Sequence, residues 1–248
     1  METRLEQIKE TARMFLYVDI AETKIPFVAS HPFTNTWTVM LQGEKAVPSL
    51  ENLVDLHDEK AADRWRKEME REIKKATLFR LFSLLNPPYI LNFLKFTAKD
   101  MSKKDLGGVL HSFWQSIEQI SLDKSVTGRE IVSWFKRAEK TALMDEEDFQ
   151  FFNDLPEMVT VYRGVTSYNS KKKKAFSWSV DREIAEWFAN RFSTGTGEVW
   201  TMTVPKERIL CYYGGREQEV IVNLYGYEGK MKIEPCIPHG EEGGECRW

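Results

Sequence analysis

The sequence predicts an α+β fold in which a mostly helical N-terminal region, residues 1–155, precedes a β-rich region, residues 156–248. Hydrophobic residues recur at helical spacing before Pro156, whereas after it they alternate with polar ones. The first period is typical of an amphipathic helix and the second of a half-buried strand. Hydrophobic residues make up 42% of the chain and aromatic residues 12%, which is enough to form a buried core.

The N-terminal region is predicted to be helical apart from one extended segment. A helix is expected over Asp58–Leu85, where apolar residues line one face until two consecutive prolines stop it. Thr127 and Glu130 have the spacing of a capping box, which predicts that another helix begins there. The remaining elements are a first helix with Leu5, Ile8, Ala12 and Phe15 on one face, a strand or loop within Phe27–Leu41, and a helical stripe over Leu106–Ile120.

The β-rich region is predicted to contain short strands and one helix. The helix is expected over Asp181–Phe192, because Ile184, Ala185 and Phe188 lie on one of its sides. The predicted strands are Met158–Tyr162, Ala175–Ser179, Val199–Val204, Ile209–Tyr213, Glu219–Tyr225 and Met231–Ile233. At 248 residues, either one large domain or two small ones fits the length.

Composition excludes several classes of protein. A formal net charge of −3 opposes bulk coating of nucleic acid, although it allows a local basic patch. Three cysteines (Cys211, Cys236, Cys246) and four scattered histidines predict neither a disulfide framework nor a structural zinc site. The most apolar stretch, residues 76–96, is interrupted by charged residues and prolines, so no membrane span is expected. The first residues lack the apolar stretch of a signal peptide, and we expect a cytoplasmic protein.

Three short segments of the β-rich region could carry chemistry. In the first, Arg163 ends an apolar strand and Gly164 follows it. A guanidinium in that position can donate paired hydrogen bonds to a phosphate, and the glycine would let a ligand approach the backbone. In the second segment, Ser177 and Ser179 point to one face of a strand and Trp178 to the other. Structural alternatives are a solvated strand end and a helix cap.

The third segment is Glu217-Gln218-Glu219, which leads into an apolar Val-Ile-Val strand. Two glutamates two positions apart at the start of a strand would place both carboxylates on the same face. Each negative charge then raises the pKa of the other carboxyl group, an arrangement with little structural benefit. A charged turn at the sheet edge is the structural alternative.

In this order, the three segments resemble the arginine–serine–glutamate class of mono-ADP-ribosyltransferases, found among bacterial toxins and phage modifying enzymes. The matching residues are Tyr162-Arg163-Gly164, Ser177-Trp178-Ser179 with the helix after it, and Glu217-Gln218-Glu219-Val220-Ile221. The family's usual middle motif is Ser-Thr-Ser, so Trp178 is a departure, which we expect to alter packing more than catalysis. The resemblance covers only about the last hundred residues.

The resemblance implies a two-sheet transferase core and an activity that uses NAD as co-substrate without a metal. Glu219 would bind the ribose and stabilise the positive charge that develops there, and Ser177 would position Glu219. Arg163 would bind the NAD phosphates, together with Gly164 and Ser179 in the cofactor site. Glu217 would orient or deprotonate the acceptor. Trp187 or Phe192 could stack on nicotinamide, although helix core is the alternative for Phe192.

A protein arginine is the first acceptor that the resemblance implies, because a carboxylate such as Glu217 can deprotonate a guanidinium. The turn from Cys211 to Arg216 would contact the acceptor, with Tyr212 and Tyr213 as recognition aromatics or ordinary strand residues. RNA or DNA is the alternative acceptor, since Lys171–Lys174 could contact phosphates; a solvated loop is the other interpretation. Water could also accept the ADP-ribose.

Two broader expectations remain beside these. By analogy with the family, the protein would act as a toxin or effector, with an antitoxin or immunity protein as a possible partner. Alternatively, the chain is a non-enzymatic interaction protein with a degenerate transferase fold, whose helical region docks a partner.

Overall fold

The structure, a computed structural model, describes residues 1–41, 52–117, 125–166, 175–191 and 197–236. It divides into two compact units, Met1–Glu130 (unit 1) and Ile131–Trp248 (unit 2). The division falls earlier than the change from helices to strands at residue 156. Helices that precede the strands belong to unit 2, since Phe151 stacks on Tyr212 with ring centroids 4.1 Å apart.

Unit 1 is mainly helical, as the sequence predicts, with short antiparallel strands. The helices that lie wholly within it are α1 (Leu5–Leu16), α2 (Glu59–Lys75), α3 (Leu78–Ser83), α4 (Ile90–Thr97) and α5 (Lys103–Phe113). Its strands are β1 (Ala21–Glu22), β2 (Val28–His31), β3 (Thr34–Thr36), β4 (Thr38–Met40) and β5 (Leu53–Asp55), in sheets of order β1-β2-β3 and β4-β5. The core of unit 1 is formed by large buried side chains of its helices, among them Phe82, Phe93 and Leu81.

The prediction of one helix over Asp58–Leu85 is wrong, because the helix is interrupted at Ala76. Asp58 caps the start of α2 by accepting the Ala61 N–H at 2.8 Å. Ala76 is extended, with ψ of 140°, and the Thr77 side chain then accepts the Arg80 N–H at 3.3 Å. A second N-cap inside the apolar stripe therefore starts a new helix. The pattern of apolar residues continues across this break and conceals it.

The capping box at Thr127 is confirmed. The Thr127 N–H donates to Glu130 Oε2 at 2.7 Å, and the Glu130 N–H donates back to Thr127 Oγ1 at 3.3 Å. These two bonds satisfy amide groups that a helix start leaves without partners. Helix α6 (Gly128–Arg137) follows, and it runs across the boundary between the units. Within the described residues, no helix is both long and apolar enough to cross a membrane.

Unit 2 is built on one six-stranded antiparallel sheet. Its elements after α6 are α7 (Lys140–Leu143), α8 (Glu146–Asp154), β6 (Met158–Val165), β7 (Ser177–Ser179), α9 (Arg182–Asn190), β8 (Gly197–Pro205), β9 (Ile209–Tyr213), β10 (Glu219–Val222) and β11 (Met231–Cys236). The strand order is β11-β8-β6-β7-β10-β9. The α+β class is thus confirmed, and the predicted strands of unit 2 are present, all but β9 with shifted ends.

The sheet of unit 2 consists of two three-stranded halves. Strands β11, β8 and β6 pair along most of their lengths, and so do β7, β10 and β9. The halves meet at one residue pair, Tyr162 with Ser179. The described residues therefore form a single sheet with a narrow junction, where the family resemblance implies two sheets.

Helix α9 lies against the first half of the sheet, and two glycines permit this close approach. A Cβ atom at Gly164 would lie 2.1 Å from the Ala185 carbonyl oxygen, and one at Gly197 would lie 2.0 Å from that of Ala189. Both distances are far shorter than a van der Waals contact. Ala185 and Ala189 are themselves buried, so small residues on both elements bring the helix backbone onto the strands.

Candidate active site

The three predicted segments lie on neighbouring strands at the junction of the sheet. Arg163 is on β6, Ser177 and Ser179 are on β7, and Glu219 opens β10. Strand β7 lies between the other two, with Ser179 paired to Tyr162 on one side and to Glu219 on the other. Arg163 and Glu219, more than fifty positions apart in the chain, thereby lie on strands that are separated only by β7.

Arg163 connects the two halves of the sheet. Its Nη1 donates to the Ser177 carbonyl oxygen at 2.5 Å. Its Nε is buried and has no hydrogen-bond partner among the described residues. Burial lowers the pKa of this guanidinium, while the negative charge of Glu219 acts in the opposite direction. A buried N–H without an acceptor is unfavourable. An anionic ligand that reached Arg163 would supply the missing hydrogen-bond acceptor.

Glu219 is buried, with only 6% of its surface exposed. In the sheet it lies between Ser179 and Tyr213, so its side chain shares a face with both. Burial, above all, raises the pKa of Tyr213 well above its usual value and that of Cys211 to about 12, and the charge of Glu219 contributes to both. The carboxylate thus sits in a weakly screened environment, where its field on a ligand would be strong.

The two serines of β7 have different surroundings. Ser179, not Ser177, is directly opposite Glu219, while Ser177 is opposite Ile221 and therefore diagonal to the carboxylate. The Ser179 Oγ accepts the Asp181 N–H at 3.0 Å, which ties the end of β7 to the start of α9. Ser177 contributes its carbonyl oxygen to Arg163. The expected partner of Glu219, Ser177, thus shares its face but is one row away.

Trp178 packs as predicted. Its side chain is buried, and its indole N–H donates to the Ala175 carbonyl oxygen at 2.9 Å. It pairs with Val220 and so faces away from the two serines. Trp178 consequently packs in the core on the face of β7 opposite to the two serines.

The prediction that Glu217 and Glu219 share one strand face is wrong. Glu217 lies exposed in the turn between β9 and β10, two residues before the buried Glu219. The Gln218 N–H donates to the Gly214 carbonyl oxygen at 2.9 Å, and Gln218 has φ of 41°. This left-handed residue interrupts the alternation of a strand. The two carboxylates therefore have separate environments, one in solvent and one in the sheet.

Gly164 was expected to admit a ligand, but the structure gives it another role. The space beside its Cα is occupied by the backbone of α9. A small residue is required there because the helix crosses β6 at that point. The glycine after the arginine is therefore explained by the packing of α9.

The predicted recognition aromatics of β9 are core residues. Tyr212 is buried and stacks on Phe151 of α8, and Tyr213 is only 4% exposed. Trp187 is 40% exposed on α9, where the Arg191 guanidinium lies 5.3 Å from its ring centroid. Phe192 and Lys171–Lys174 lie outside the described residues. Their predicted contacts with nicotinamide and with phosphates therefore stay predictions.

Sequence reasoning missed Asp148, which holds the turn before Glu219. Its Oδ1 accepts the Gly214 N–H at 2.9 Å, so α8 anchors the loop that carries Glu217. Its position in an acidic helix start gives no indication of this contact, because the bond joins residues 66 positions apart. Cys211, buried in the strand next to Glu219, and Cys236 are free thiols, and Cys246 lies outside the described residues. The described residues hold no metal-binding group of three or more His, Cys, Asp or Glu side chains.

Comparison of the chain with known protein families, with curated proteins and with solved structures finds no match.

Proposed function

We propose that the chain is an NAD-dependent mono-ADP-ribosyltransferase that modifies an arginine side chain of a protein. The observation that supports this most directly is the adjacency of β6, β7 and β10. It brings an arginine with a buried, unsatisfied N–H, two serines and a buried glutamate to one junction. These residue types match the needs of NAD, which carries two phosphates and a ribose whose glycosidic bond must break.

In the proposed reaction, Arg163 binds an NAD phosphate through the part of its guanidinium that Ser177 leaves free. The bond between nicotinamide and ribose C1′ breaks, and nicotinamide leaves with the bonding electrons. Positive charge then develops on the ribose, as in glycoside hydrolysis. Glu219 stabilises that charge more in the transition state than in the ground state, which accelerates cleavage.

Glu217 supports the choice of acceptor. Its carboxylate is exposed, next to the exposed Arg216, in a turn that α8 anchors. A carboxylate in solvent can meet the side chain of a large substrate, which a buried one could not do. Glu217 would bind the incoming guanidinium and take its proton as the nitrogen attacks C1′. Transfer to nucleic acid, for which the lysine run was the signal, becomes an outcome of the test.

The test is release of nicotinamide from NAD by the wild-type protein and by Glu219→Gln, with Glu207→Gln as control. Gln keeps the size of Glu219 and removes its charge, so release should fall by about 100-fold or more. Glu207 is exposed beyond β8 and should be silent. Equal release by Glu219→Gln and wild type would contradict the proposal.

The acceptor is then identified with labelled NAD in a cell lysate. Label that withstands RNase and DNase but is lost on protease treatment supports a protein acceptor. Label with the opposite sensitivity identifies nucleic acid and rejects the arginine assignment. Absence of both label and nicotinamide release would favour a non-enzymatic protein, in which Arg163 serves only to join the halves of the sheet.

A further inference from the structure

Unit 1 contains an open groove of about 400 Å³, lined by one residue of α1, Arg13, and by four of α2: Lys67, Glu70, Arg71 and Lys74. Four of these five side chains are cationic. The chain as a whole has a net charge of −3, so this groove differs in sign from the average surface. Such a local concentration of positive charge attracts anions, whatever the net charge of the molecule.

The three groove cations that α2 contributes form no ion pairs with described carboxylates. Arg13 pairs with Glu10 at 2.6 Å. Lys67, Arg71 and Lys74 form no ion pair with any other described residue. Their spacing places them on one face of the helix, where like charges repel. A bound polyanion would offset this repulsion, because its phosphates attract each of the three cations.

An exposed aromatic ring borders the groove. Tyr17, 56% exposed, donates its hydroxyl to Glu70 Oε1 at 3.1 Å. The Arg66 guanidinium lies 5.9 Å from the centroid of the ring. Glu70, the one acidic residue in the groove, thus has one oxygen engaged by the tyrosine. The groove therefore combines cations for phosphates with an aromatic surface for a base.

We propose that this groove binds single-stranded nucleic acid. Lys67, Arg71 and Lys74 contact consecutive phosphates, and an unpaired base stacks on Tyr17. The three cations span about 10 Å along the axis of α2. This length exceeds the distance between neighbouring phosphates of a strand, so the cations can contact more than one phosphate. Stacking on an exposed tyrosine needs a base that is free of a duplex, which selects single strands.

This inference does not depend on the proposed NAD chemistry, because binding is measured without NAD. Fluorescence anisotropy with labelled oligo(dT) and oligo(U) gives the affinity of the full chain at several salt concentrations. The duplex of oligo(dT) with oligo(dA) and heparin, a polyanion without bases, serve as competitors. Nicotinamide release by the groove variants, measured in parallel, should equal that of the wild type.

Lys67→Gln with Arg71→Gln should weaken oligo(dT) binding by about tenfold or more and reduce the slope of log affinity against log salt by about 1.4. The matched control is Lys103→Gln with Lys104→Gln, an equal charge change at exposed positions of α5, which should have little effect. Glu70→Gln should tighten binding. Tyr17→Leu should weaken binding of oligo(dT) and leave that of heparin unchanged.

Several results would overturn the proposal. These are no binding by wild type at low salt, equal losses in the α2 and α5 variants, preference for the duplex, or no effect of Tyr17→Leu. The last two would indicate a surface that attracts any polyanion. Thermal unfolding of each variant shows that the helices remain folded, so that a loss of binding is not a loss of structure.

Discussion

Arg163 is held by the protein on one side and unsatisfied on the other. Its Nη1 is bound to the Ser177 carbonyl oxygen, whereas its buried Nε lacks a partner among the described residues. A buried N–H without an acceptor is unfavourable, so an anion that reached it would be bound. The unsatisfied half makes binding of an anion testable separately from stability.

Replacing Arg163 by alanine should raise the KM for NAD by about tenfold or more, since a hydrogen bond to a charged group contributes about 1.5–3 kcal/mol. The free energy of unfolding should also fall, because the bond across the junction is lost. Steady-state kinetics and urea denaturation measure the two effects. Arg182→Ala, whose exposed guanidinium pairs with Glu186 and Glu234, should change neither by much. Reduced stability with an unchanged KM would leave Arg163 a structural role alone.

Glu217 should affect transfer without affecting cleavage. Its exposure in the turn keeps it away from the buried Glu219, so the two carboxylates can act on different partners. Glu217→Gln should retain nicotinamide release within about twofold and reduce labelling of the acceptor by about 100-fold, the scale of general-base catalysis. Parallel assays of both steps provide the measurement. Equal losses in the two steps would assign both glutamates to one task.

At the scale of elements, the strands of unit 2 are predictable because their sequences are short runs rich in β-branched and aromatic residues. The predicted range Ile209–Tyr213 agrees with β9 at both ends, and the predicted start of β10 at Glu219 is also correct. The features that fail depend on local backbone geometry or distant contacts. The left-handed Gln218 removes Glu217 from the strand face, and Ala76 divides a continuous apolar stripe. Neither of these two backbone features can be recognised from the pattern of apolar residues.

The candidate site is predictable in composition and only partly in geometry. Arg163, Ser177, Ser179 and Glu219, which the resemblance assigns to one site, lie on three consecutive strands of the sheet. The pairing of Glu219 with Ser179 instead of Ser177 follows from strand register, which is set by long-range packing. The anchor of the turn by Asp148 likewise needs a fold before it exists.

The packing of helix α9 on β6 requires a residue without a Cβ atom at position 164. The reason is lack of space and not the backbone conformation of Gly164. A Cβ at Gly164 would meet the Ala185 carbonyl oxygen at 2.1 Å, and a helix backbone cannot rotate away as a side chain can. We expect Gly164→Ala to lower the free energy of unfolding of unit 2 by about 3 kcal/mol, the upper range for overpacking.

Gly215 provides the comparison. It has φ of 42° with no atom within 4 Å of an added Cβ, so alanine there suffers only conformational strain of about 1 kcal/mol. Urea denaturation of both variants measures the difference. A loss for Gly164→Ala no larger than that for Gly215→Ala would show that α9 can move away from β6.

At the scale of the whole molecule, one buried histidine of unit 1 makes the stability dependent on pH. His31 is fully buried. Its Nε2–H donates to the Leu16 carbonyl oxygen at 3.2 Å, and its Nδ1 accepts the Phe33 N–H at 3.1 Å. Both nitrogens are thus used by the neutral ring. A proton on Nδ1 would face an N–H donor, and burial lowers the pKa of His31 to about 4.

The unfolded chain, where the pKa of His31 is 6.5, binds this proton more readily than the folded one. Stability is therefore complete above pH 6.5 and is lost as the pH falls through 6.5 toward 4, by about 3 kcal/mol in total. The charge of Arg66 adds to the cost of protonation. Urea denaturation across this range measures the decline. His31→Gln, which keeps a donor and an acceptor without titrating, should flatten it, and an unchanged slope in that variant would assign the loss to other groups.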